Sequence, residues 1–198
     1  EESLEQDEPV TDDESPAAEL SDPTFTQGVE GELAQLRRIA HDCLEEIGIL
    51  GNLRELSADD HFGSATSQFE QRMLANFNAF CAMSQPFESS EGTQVAFPVL
   101  KELVAYCRQG FVADPMRAFA RTLVLTSLGE PACAKLALMA LRRSAPSTYA
   151  AQTAALGLAA GDAINEPLFA LSRDDNPEWV CIALSVARKR RSADLALA

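Results

Sequence analysis

Three consecutive stretches decide how this chain folds: DPMRAFARTLVLTSLGEPACAKLALMALRRS (114–144), APSTYAAQTAALGLAAGDAINEPLFALSRDD (145–175) and NPEWVCIALSVARKR (176–190). Each opens on a residue–proline pair, Asp114-Pro115, Ala145-Pro146 and Asn176-Pro177, at a constant step of 31 residues. Proline suits the first position of a helix, because the N–H it lacks would have no partner there. Asp114 and Asn176 also bring a side-chain oxygen that can cap the helix start, and Ala145 does not. Two further breaks, Leu128-Gly129-Glu130-Pro131 and Ala160-Gly161-Asp162, fall between these starts. The spacing predicts helices over about 115–128, 131–143, 146–160, 163–173 and 177–190.

A fixed period of short paired helices is the sequence mark of an α-solenoid. The motif resembles the HEAT-like repeats of the short variety named after phycobilin lyases. That variety reads as Asp-Pro opening one helix, a Leu-Gly-Asp turn, then Pro-Leu and Ala-Leu in the next. Asp114-Pro115 with Leu128-Gly129 fit the first repeat, and Arg117 stands close to an arginine that the family often carries after Asp-Pro. Gly161-Asp162, Pro167-Leu168, Ala170-Leu171 and Asn176-Pro177 fit the second. The resemblance covers about residues 114–190. It implies antiparallel helix pairs serving as a protein-binding scaffold, and it implies no residue-level site.

Upstream, Leu33, Leu36, Ala40, Cys43, Ile47 and Leu50 alternate steps of three and four, which predicts one long amphipathic helix over about 29–56. Gly48 and Gly51 mark a possible break near its end. Phe69, Met73, Phe77 and Phe80 predict a second helix from about Ser67, with that stripe facing a core. Gln85 to Gln94 reads as a loop, Pro98 opens a third helix, and Gly110 suits its C-terminal cap. The expected architecture is all-α: an acidic disordered leader (1–22), an N-terminal helical region with a cap and a degenerate repeat (23–112), and HEAT-like repeats (113–198).

The formal charge of −14 is unevenly spread. Residues 1–22 hold ten carboxylates and no base, while 114–198 hold eight acids and ten bases. A leader so charged and so poor in apolar residues cannot offset the entropy of ordering. The acidity and the presence of only three lysines disfavour duplex nucleic acid, which needs many convergent cations. No apolar run approaches the roughly 18 residues of a membrane span. Nucleic-acid binding along a solenoid groove remains the runner-up function.

The chemistry-bearing residues are sparse. Cys43, Cys81, Cys107, Cys133 and Cys181 are scattered, form no CxxC pair and sit at helix-core positions, which points to reduced thiols and a cytoplasmic location. His41-Asp42-Cys43 places three reactive types in a row, but adjacent residues on a helix diverge by about 100° and cannot converge on one atom. Asp59-Asp60-His61 lacks the spacing of an EF-hand or a zinc helix and reads as a polar turn. Gly48 to Gly51 is no phosphate loop, since no Gly-Lys-Ser/Thr follows. No cofactor or metal is expected; an enzyme would need an unrecognised site near His41 or His61.

The expected function is therefore a non-enzymatic scaffold that binds protein partners. Two candidate patches carry it. One is a ridge with Arg142, Arg143 and Trp179. The other is the basic run Arg188, Lys189, Arg190 and Arg191, which also complements a helix C-terminus.

Overall fold

The structure, a computed structural model, describes residues 28–56, 64–108 and 113–190. The expectations placed on the acidic leader, the Asp59-Asp60-His61 turn, Gly110 and Arg191 lie outside these residues. Among the described residues the chain is built of helices: α1 (Val29–Leu56), α2 (Ser64–Ala82), α3 (Val99–Arg108), α4 (Pro115–Ser127), α5 (Pro131–Arg142), α6 (Tyr149–Leu158), α7 (Asn165–Leu171) and α8 (Pro177–Arg190). No described helix is long and apolar enough to cross a membrane.

The three period-marking prolines all stand at helix starts. Asp114 accepts from the Met116 and Arg117 amides at 2.8 and 3.4 Å, and Asn176 Oδ1 accepts from the Glu178 amide at 2.9 Å. Ala145 has no such oxygen, and there the chain enters through a 3-10 turn, Pro146–Thr148, before α6. A tighter turn is a usual way to satisfy orphan groups at a helix end. Gly129 and Gly161 have φ of 76° and 75° and make the two intervening breaks. α7 is shorter than the 163–173 expected, because residues 161–164 turn and the Asn165 amide bonds Asp162 O at 2.9 Å.

Two other expectations are corrected. The 85–94 loop contains a minimal antiparallel pairing, β1 (Phe87–Glu88) with β2 (Gln94–Val95), closed by the left-handed Gly92 and by Ser89 Oγ accepting from the Thr93 amide. α1 also does not break at its glycines. It runs on because α4 crosses there: a Cβ on Gly48 would sit 2.8 Å from Met116 O, and one on Gly51 would sit 2.3 Å from Phe119 Cε1. The glycines let two helix backbones approach instead of ending a helix.

α1 packs against α2, α3 and α4; α4 packs against α5 and α6; α6 packs against α8. α5 touches α7, and α7 touches α8. Thus α1, α4, α6 and α8 follow one another in a row, with α5 and α7 beside it. One core cluster joins Leu44, Ile47, Phe80, Leu103, Phe119 and Val124. The other joins Leu138, Leu141, Ile164, Leu168, Trp179 and Val186. The stripes read from sequence are the faces that are covered: Ala40, Cys43, Ile47 and Leu50 are buried on α1, and Met73 and Phe80 on α2.

Candidate functional site

The residues expected to form the binding ridge are dispersed. Trp179 is 9% exposed, and its ring packs on Tyr149 with centroids 5.2 Å apart, joining the first turns of α8 and α6. It serves the core and offers no exposed anchor. Arg142 donates to Asp174 in the turn before α8. Its neighbour Arg143 is exposed and lines a different feature, a cleft beside α4.

The basic run at the end of α8 is divided in the same way. Arg188 is exposed. Lys189 lays its aliphatic stem where a Cβ on Gly157 would go. Arg190 donates through Nη1 to Ala159 O and through Nη2 to Gly161 O at 2.6 Å. It therefore caps carbonyls at the end of α6, and burial lowers its pKa from the ordinary arginine value while nearby Asp162 opposes that shift.

The histidine expected at a possible catalytic site has a structural setting. Glu102 of α3, 4% exposed, bonds Arg37 Nε at 3.1 Å and lies 3.7 Å from His41 Nε2. The His41 ring stands edge-on to Tyr106 at 5.7 Å. This group ties α1 to α3. The neighbouring thiols are poor nucleophiles at neutral pH, since burial raises Cys43 and pushes Cys107 up to about 11 against the opposing pull of Arg121 and Arg117. Among the described residues, no three His, Cys, Asp or Glu side chains are grouped to hold a metal ion. Cys181, expected in the core, is exposed, on the same face of α8 as the exposed Leu184, Ser185 and Arg188.

The concave polar feature is the cleft itself. It measures about 230 Å³ and is lined by Arg117, Arg121 and Arg143, with Asp114, Ser144 and Thr148 among the other walls. Arg117 and Arg121 are four apart on α4 and so share a face. Arg117 lies over the Tyr106 ring at 5.1 Å, with its Nε 3.4 Å from Asp114 Oδ2. Arg121 Nη2 donates to Ser144 Oγ at 3.1 Å and to Gln152 Oε1 at 3.3 Å. Gln152 is fully buried and donates in turn to Thr148 Oγ1 at 2.8 Å.

Sequence reasoning overlooked Arg121. Its signal was available: Gln152 stands one 31-residue period beyond it, so the two occupy equivalent positions in successive segments. The fold and site together define an all-α protein with an arginine-lined cleft between α4, the end of α3 and the 143–148 connection that joins α5 to α6. No protein family, curated protein or solved structure matches this chain.

Proposed function

We propose that this protein is a non-enzymatic scaffold for protein partners, its helices forming a HEAT-like α-solenoid of antiparallel pairs with α1 as the N-terminal cap. One observation carries the reading. Arg121 bonds Gln152, and Arg190 bonds Ala159 O, each across one 31-residue period, so equivalent positions of successive segments touch. The row of α4, α6 and α8, with α5 against α4 and α7 against α8, supports a stack of successive segments.

Such a stack displays a surface of fixed shape, and a partner that docks on it loses little conformational entropy on the scaffold side. The display surface is the outer side of α5, where Leu136 and Met139 are 52% and 47% exposed, continuing to Arg143. Arg188 on α8 offers a second exposed cation.

The test is capture from an extract of the source cells on the immobilised 198-residue chain, run with wild type and with a Leu136→Asp, Met139→Asp double variant. A partner held by wild type and lost from the equally stable variant supports the reading. Proteins on wild type identical to those on blank resin remove it.

A further inference from the structure

The cleft beside α4 holds more positive charge than its walls neutralise. Among the described residues Asp114 is its one lining carboxylate, and it is engaged by the Met116 amide and by Arg117. Among the described residues, Arg121 and Arg143 have no carboxylate partner. Arg121 Nη2 meets only neutral oxygens, and its Nε is sealed from solvent without an acceptor. Removing a guanidinium from water without a counter-charge is costly. Two uncompensated cations in one concavity are also a local exception in a chain of net charge −14.

The donor set narrows the ligand. The Ser144 and Thr148 hydroxyls already donate to Ala140 O at 2.6 Å and to Ala145 O at 2.8 Å. The donors left for a ligand are guanidinium N–H groups, whose fork geometry matches oxyanions. Charge then separates the oxyanions. A carboxylate brings one negative charge, whereas a phosphate monoester brings about −1.5 to −2 and balances two arginines. A volume of about 230 Å³ suits a phosphoryl group on a short stem.

We propose that this cleft binds a phosphate monoester, with Arg121 and Arg143 neutralising the phosphoryl oxygens and Arg117 flanking them. The inference stands apart from the scaffold reading, since it concerns a small anionic group and needs no protein partner.

The experiment titrates the 198-residue chain with sodium phosphate, with O-phosphoserine and with acetate at constant ionic strength, followed by amide NMR and by thermal shift. Saturable perturbation around Arg117, Arg121 and Arg143 is expected with sodium phosphate and with O-phosphoserine. Arg143→Gln should weaken it about tenfold or more without changing the melting temperature of the free protein. That variant decides the matter, because Arg121→Gln would also break the bonds to Ser144 and Gln152. Tighter binding of O-phosphoserine marks an ester as the ligand, and equal binding marks the phosphoryl group alone; both support the site. Absence of saturable binding, equal response in Arg143→Gln, or acetate matching phosphate would overturn it.

Discussion

Gly51 of α1 lies directly beneath the ring of Phe119 on α4: a Cβ built on the glycine would fall 2.3 Å from Phe119 Cε1 and 2.5 Å from Cδ1. Phe119 is itself buried in the first core cluster, so the ring has little room to yield. The glycine pair of α1 thus sets how closely the first two helices of the row approach.

Gly51→Ala should destabilise the protein although alanine is the better helix former. Overpacking of this kind costs about 1–3 kcal/mol, against a helix-propensity gain of about 1 kcal/mol. Denaturant unfolding of the variant should show a lower midpoint. An unchanged or raised midpoint would mean that α1 and α4 are not in this contact.

Replacing Arg190 should loosen the end of α8. Its two bonds are charge-assisted, the one to Ala159 O half-buried and the one to Gly161 O exposed, so Arg190→Ala should cost about 1–2 kcal/mol. Arg190→Lys should recover only part of this, since a point-like ammonium cannot span two carbonyls as a planar fork does. Amide hydrogen exchange in the last turn of α8 is the local measurement, and full rescue by lysine would contradict the forked geometry.

Stability should fall in alkali. Burial pushes Tyr106 up to about 12 and Cys107 up to about 11, from ordinary values of 10.0 and 9.0. Both groups hold their proton more tightly when folded, so the unfolded chain ionises first as pH rises. Below about pH 9 both are protonated in either state and cost nothing. From about pH 9 to 11 for Cys107, and about pH 10 to 12 for Tyr106, each unit of pH favours unfolding. The Cys107→Ala, Tyr106→Phe double variant should flatten the decline of the urea midpoint over that range.

Thiol labelling should follow burial. Cys181 is exposed, Cys81 and Cys107 are partly covered, and Cys43 and Cys133 are buried. A mass-resolved alkylation series at neutral pH should modify Cys181 first and Cys43 and Cys133 last. Early labelling of Cys43 would mean that the first core cluster opens readily.

Much of this fold is legible in the sequence, and the reason is local. Proline at a helix start and glycine at a positive φ are chemical constraints on single residues, so Pro115, Pro131, Pro146, Pro177, Gly129 and Gly161 fix boundaries without tertiary information. Even the missing cap at Ala145 shows up as the 3-10 entry to α6. What the sequence misjudges is what a neighbour decides. Gly48 and Gly51 look like helix breakers until α4 is placed across them. The adjacent arginines 142 and 143 look like one ridge, yet one turns to Asp174 and the other borders the cleft. Arg121 is inconspicuous because its importance comes from the company of Ser144, Gln152 and Arg143, which a linear reading does not assemble.

The two clusters of buried side chains are not carried by separate helices. α5 gives Cys133 and Ala137 to the first and Ala134, Leu138 and Leu141 to the second, and α6 divides Ala154, Ala155 and Leu156 in the same way. Neighbouring side chains on one turn of helix thus answer to different cores. Melting either half must strip support from the other, so calorimetry should record a single cooperative peak whose van't Hoff and calorimetric enthalpies agree.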